Sequence, residues 1–232
     1  MALPLYLAMT AAEFRDVSHI GAMTAWMSCH FSPGGDGLSN LPPFLPEGSM
    51  VIVDDWSSFQ DHSPGVIARQ LHQIVTERSC SCVLLDLQRP KDDGYAPLIQ
   101  AVLDTLTCPV GLSAPFAREY SCPVLLPPVP PDTPPEHWFA PWEGRELWLE
   151  AALDGIKYTV TASGSQSAPI IREDIPLSGH ASQSLYCHYT TEVLEDAAFF
   201  RLYRTKEDLQ RLLQAVEGMG VTRAVGLWQE LG

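Results

Sequence analysis

Met50-Val-Ile-Val-Asp-Asp-Trp56 and Cys82-Val-Leu-Leu-Asp-Leu-Gln88, with the segment between them, decide the fold. Met50–Val53 and Val83–Leu87 are continuous apolar runs, the pattern of strands covered on both faces. Between them, Ser63-Pro64 supplies a cap residue and a first-turn proline. Val66, Ile67, Gln70, Leu71, Ile74 and Val75 then keep helical spacing. A strand, a helix and a second strand in one sheet require a right-handed parallel crossover.

The same unit repeats over 82–113. Its helix follows Asp93, carries Leu98, Ala101, Val102, Thr105 and Leu106 on one side, and stops before Cys108-Pro109. A third unit spans 199–228. There Thr205 and Asp208 form a capping-box variant, Leu209, Leu212, Leu213 and Val216 make the stripe, and Gly218 and Gly220 end it. Elsewhere helices have no room, because 114–122 is short and 127–145 is rich in proline. Asp154-Gly155, between the runs Leu147–Leu153 and Lys157–Thr161, signals a β-hairpin over 146–162. The expected fold is α/β, a shortened (β/α)8 TIM-type barrel with missing helices and that hairpin as decoration. It is read as one domain over 1–232, with an open doubly wound sheet as the alternative.

Composition narrows the function classes. Hydrophobic residues are 46% and charged ones 18% of the 232 residues, enough for a core and too few charges for disorder. Acidic residues outnumber basic ones 28 to 14, for a formal charge of −14. That field repels nucleic acid and anionic membranes, and favours a neutral or cationic small molecule as partner. The oligomeric state stays open. Met1–Met9 is apolar but lacks the basic start of a secretory signal, and no run approaches the roughly 20 apolar residues of a membrane span, so a cytoplasmic location is expected.

The six cysteines (Cys29, Cys80, Cys82, Cys108, Cys122, Cys187) are expected to be reduced, buried thiols. Zinc is disfavoured. The adjacent pairs Cys29-His30 and Cys187-His188 point to opposite faces of a strand, and no Cys-x-x-Cys occurs. No cofactor is expected either, since no glycine motif opens a helix. Gly34-Gly-Asp-Gly37 reads as a flexible loop, a lid for the mouth.

In a parallel barrel the active site lies at the C-terminal ends of the strands, and here those ends are polar. One run closes on Asp54, Asp55 and Trp56, and the next on Asp86 and Gln88. Alternation puts the last two on one face, about 7 Å apart. Later runs add Glu150, then His188, Tyr189 and Glu192, then Trp228, Gln229 and Glu230. Each has a plainer reading: Asp54 or Asp55 as a loop cap, Glu150 as a solvated hairpin residue, His188 and Trp228 as core. A metal site built from Asp54, Asp86 and His188 is a different reading, suited to lyase or hydrolase chemistry.

Residues 81–88, Ser-Cys-Val-Leu-Leu-Asp-Leu-Gln, resemble the fourth strand of glycoside hydrolase family 18, the chitinase-like barrels, whose pattern is Asp-Gly-x-x-x-Asp-x-Glu. Asp86 falls on the last Asp and Gln88 on the catalytic Glu. Ser81 and Cys82 replace Asp and Gly, and Leu84 stands where the middle Asp often sits. Gly226-Leu-Trp228 resembles the closing strand, whose tryptophan floors a sugar subsite. The resemblance implies a saccharide ligand. It also implies that the glutamic acid protonates the glycosidic oxygen while the Asp orients the substrate's acetamido group. Gln88 has no acidic proton to give. The chain is then a binding remnant, or an enzyme whose acid is Glu150, Glu192 or Asp54, with Trp26, Trp56, Tyr189 and Trp228 available to stack on sugar rings.

Overall fold

The structure, a computed structural model, describes residues 3–15, 23–33, 36–57, 62–89, 94–170, 174–176 and 178–232. Its strands are β1 (Leu5–Met9), β2 (Met23–Phe31), β3 (Leu38–Ser39), β4 (Met50–Asp54), β5 (Cys82–Asp86), β6 (Val110–Ser113) and β7 (Val124–Leu126). They continue with β8 (Leu147–Glu150), β9 (Gly155–Thr161), β10 (Gly164–Pro169), β11 (His180–Ser182), β12 (Cys187–Val193), β13 (Ala197–Tyr203) and β14 (Val221–Leu227). The helices are α1 (Ala11–Phe14), α2 (Pro64–Arg78), α3 (Tyr95–Thr105), α4 (Ala114–Ala117), α5 (Pro135–Phe139), α6 (Lys206–Val216) and α7 (Trp228–Leu231).

Parallel pairing runs β1-β14-β8-β7-β6-β5-β4-β2, and β1 also pairs with β2. Eight strands therefore close into a barrel, and the open sheet is excluded. Among the described residues only α2, α3 and α6 are longer than five residues, so this is the shortened barrel expected. The start signals behave as read except at Ser63, which takes the N-cap position of α2 without a side-chain cap bond. Pro64 occupies the first turn of α2, and Thr205 and Asp208 form a reciprocal capping box on α6. The α2 helix ends where Ser79 turns left-handed at φ 50°. Asp93 and the Gly34-Gly35 part of the lid lie outside the described residues.

Strand alternation divides the core in two. Val51, Val53, Val83 and Leu85 face outward onto Ile67, Leu71 and the other buried helix residues. Met50, Ile52, Cys82, Leu84, Tyr6, Ala25, Leu125 and Trp148 fill the barrel interior. Trp148 fits because the residue two strands away is Gly111, where a Cβ would lie 2.3 Å from the indole ring. Gly111→Ala is therefore expected to cost about 1–3 kcal/mol by overpacking, read as a lower urea midpoint with an unchanged m-value. A midpoint equal to wild type would mean that the indole moves aside freely.

Two sequence readings are corrected. Leu147–Glu150 is not half of a hairpin. As β8 it pairs in parallel with β7 and β14 inside the barrel. Phe199–Tyr203 does not form a parallel unit with β14, since β13 pairs antiparallel with β9 and β12. The decoration is instead a five-stranded antiparallel sheet, β10-β9-β13-β12-β11, inserted between β8 and α6. Asp154-Gly155 marks where the chain leaves the barrel, and period-two apolarity cannot tell which sheet a strand will join.

Buried Arg204 ties this insert to the proline-rich connection. Its guanidinium donates to the carbonyls of Val129 and Pro130 on one side and Tyr186 on the other. All six cysteines are unpaired. Burial pushes the Cys29 thiol up to about 12 and the Cys80 and Cys187 thiols up to about 11. No helix among the described residues is long and apolar enough to cross a membrane.

Candidate active site at the barrel mouth

The alternation that sends Ile52 and Leu84 into the barrel sends Asp54 and Asp86 inward one step higher, at the C-terminal end. The register of β4 and β5 pairs Asp54 directly with Asp86. Across the barrel, Trp148 and Glu150 repeat the pattern on β8. The result is a cavity of about 440 Å3. Its floor is apolar (Ala8, Ile52, Leu84, Leu125, Val225) and its rim carries Asp54, Asp86, Gln88, Glu150 and Glu230.

Asp86 closes the fourth strand of the barrel. Its Oδ1 accepts from the Gln88 side-chain amide and, at 3.2 Å, from the Ser113 hydroxyl. Burial raises its carboxyl above the usual range, Gln88 and Ser113 oppose the rise, and nearby Asp54 and Asp55 add to it. Glu150 goes further. Burial first, then the charges of Asp86 and Asp154, push its carboxyl from an ordinary 4.5 up to about 7.

A carboxyl raised this way binds its proton more tightly in the folded than in the unfolded chain. The stability it contributes is complete below about pH 4.5 and is lost as pH rises through about 7. Glu150→Gln, which keeps the shape and removes the charge, is expected to be the more stable protein at pH 8. The margin should be about 1–2 kcal/mol, below the full conversion of the shift because the mouth is open to water. Near pH 4 the two should unfold together. A wild type that outlasts the variant at pH 8 would contradict this account.

The remaining carboxylates divide by role. Asp54 accepts from the His30 ring at 2.7 Å and from the Trp56 backbone at 3.0 Å. Trp56 is 78% exposed beside it, edge-on to His30. Asp55 is 4% exposed and points away from the cavity. Its Oδ2 accepts from the backbone N–H groups of Gln88 (3.0 Å) and Arg89 (2.8 Å) and from the Tyr95 hydroxyl (3.1 Å). It holds the loop that presents Gln88.

Other residues named from the sequence are not brought to this mouth. His188, Tyr189 and Glu192 sit on β12 of the insert, because their run opens a strand of the second sheet. His188 is bonded to Asp208 at 2.6 Å and stacks on Tyr203, and Glu192 pairs with Arg201. Tyr189 is exposed beside His180. Trp228 opens α7 beyond β14. Leu227 and Glu230 line the cavity, while the Trp228 ring lies against Gly232. Trp26 is buried and donates to the Asn40 carbonyl.

Asp54, Asp86 and His188 are thus not gathered, and no cluster of three or more His, Cys, Asp or Glu with metal-holding geometry occurs among the described residues. The sequence reading passed over Ser113, although it closes the run 110–113. It also passed over Arg118 and Trp142, which sit in connections without periodicity.

No protein-family model matches the chain, and no curated protein sequence does. Solved structures do match. A chitinase from Chromobacterium violaceum superposes with a TM-score of 0.59 at 9% identity, over 97% of this chain and 93% of that one. The spore cortex-lytic enzyme SleL of Bacillus cereus gives 0.55 at 7%, over 99% and 71%. SleL of Bacillus megaterium gives 0.52 at 8%, over 97% and 70%. At such identities the likeness is one of fold: this chain shares the eight-stranded parallel barrel of those structures.

Proposed function

We propose that the barrel mouth binds a saccharide and that the strand-four acid of the chitinase-like enzymes is replaced here by an amide, leaving binding without their hydrolysis. The observation that carries this reading is the Gln88–Asp86 pair at the end of the fourth barrel strand, held over an apolar floor. Apolar floor and hydrogen-bonding rim match the two aspects of a pyranose, its C–H faces and its hydroxyl edges. The cavity volume falls within the usual range for small-ligand sites. Four carboxylates on the rim, in a chain of net charge −14, favour an uncharged unit in the mouth itself.

The test is calorimetric titration with an N-acetylglucosamine tetramer. Wild type should bind it, and Asp86→Ala should lose at least tenfold in affinity, the worth of one hydrogen bond to a charged group. No binding at millimolar ligand would overturn the reading. A second reading, a hydrolase whose acid is Glu150, is favoured by the proton that Glu150 retains near neutral pH. The turnover assay argued below separates the two.

A further inference from the structure

The cavity does not end at the rim. A second recess of about 370 Å3 shares Gln88, Leu125 and Glu150 with it and is walled by Ser113, Arg118 and Trp142. The chemistry changes sign on the way. The ionisable side chains lining the main cavity are all carboxylates, whereas Arg118 brings a guanidinium to the recess. That guanidinium lies 5.2 Å from the centre of the Trp142 ring and is exposed. Among the described residues it makes no ion pair, unlike Arg201, Arg211 and Arg223, which each have a carboxylate partner.

Stacking on an aromatic face fixes the plane of a guanidinium and leaves its N–H edge free for a bidentate acceptor. The Trp142 ring also offers apolar area next to a saccharide bound at Gln88.

We infer that the Arg118–Trp142 recess is a neighbouring sugar subsite that selects a unit bearing a carboxylate, beside an uncharged unit in the mouth. This rests on the saccharide reading above and names its substrate class: a saccharide in which an uncharged unit is joined to one bearing a carboxylate. Chain connectivity then explains how an acidic ligand is accepted by an acidic protein. The anionic group is carried past the repelling rim and set down on the Arg118 guanidinium. Glu150, at the border, is the mouth carboxylate with a proton available near neutral pH, so it repels that group least.

The experiment titrates the intact protein with three tetrasaccharides at low salt. One is the neutral N-acetylglucosamine tetramer. The second alternates that sugar with glucuronate, and the third alternates it with a sugar carrying a lactyl ether. The last two place the carboxylate on the ring or on a side arm. At least one acidic probe should bind about fivefold or more tightly than the neutral one, the scale of an exposed charge pair. That ratio should collapse in Arg118→Gln and in 0.5 M salt, which screens such a pair. Among the described residues Arg118 makes no hydrogen bond, and its exposed contact with the Trp142 ring is worth about 1 kcal/mol at most, so the variant's melting temperature should lie within a few degrees of wild type, certifying the fold. A ratio near one, or a preference that survives Arg118→Gln, would overturn the inference while leaving saccharide binding intact. Failure of all three probes would overturn both.

Discussion

Asp55→Ala should unfold well before the wild type, with a loss of about 3–5 kcal/mol, because three donors lose one buried acceptor together. The Asp55 carboxylate is 4% exposed and receives Gln88 N–H, Arg89 N–H and the Tyr95 hydroxyl. Each bond to an ionised group contributes about 1.5–3 kcal/mol in such settings, and donors left without a partner cost their desolvation as well. The three are not additive, since they share one oxygen. Tyr95 is itself 1% exposed, so water cannot replace the acceptor cheaply. For a chain of this length the loss corresponds to a fall in melting temperature on the order of 10 °C. Asp54→Ala is the control. Its carboxylate is a quarter exposed and its neighbours reach water, so it should cost less than half as much. Equal losses from the two substitutions would mean that Asp55 is no special anchor. Urea denaturation of both variants decides it, and saccharide binding by any folded Asp55→Ala should fall too, because the loop carrying Gln88 loses its tether.

The mouth was legible in the sequence where two periodicities agree. Ile52-Val-Asp54 and Leu84-Leu-Asp86 give alternation and a polar strand end at once, and a parallel crossover between them forces both aspartates to one end. Glu150 is legible as a polar strand end, although Asp154-Gly155 beyond it makes β8 look like half of a hairpin. Nothing local tells a barrel strand from a strand of the insert. The short runs Leu185–Tyr189 and Phe199–Tyr203 read as strands like those of the barrel, yet the strands they belong to pair with each other and not with β14. His188, Tyr189 and Glu192 were carried to the wrong place by that ambiguity. The long-range devices were illegible for a different reason. Gly111 facing Trp148, and Arg204 capping carbonyls about 75 residues away, depend on which strands become neighbours. That is a property of the closed barrel and not of any window of residues.

On aryl glycosides of N-acetylglucosamine oligomers the wild type is expected to show no chitinase-type turnover. Gln88 stands where the resemblance puts the proton donor, and loss of a general acid typically removes about 10²–10⁴-fold of rate. The structure gives the amide another occupation, since it donates to Asp86 Oδ1. Asp86 is held by Gln88 and Ser113 and cannot swing out to replace the missing acid. Among the described residues the rim carboxyl raised to about 7 is Glu150, three strands from Asp86 around the barrel. If wild-type turnover appears and survives Gln88→Ala but disappears in Glu150→Gln, the acid is Glu150 and the protein is a hydrolase of altered design. If turnover is lost in Gln88→Ala alone, the role given to this amide is wrong. Gln88→Glu should recover only part of the rate. Leu84, 1% exposed, fills the floor where the chitinase-like pattern often has an aspartate, and Ser81 is bonded to the Tyr6 hydroxyl at 2.9 Å. A restored glutamate would meet the Asp86 carboxylate, but Asp86 itself would have apolar Leu84 beneath it instead of a second carboxylate, so the proton could not be passed further down the strand.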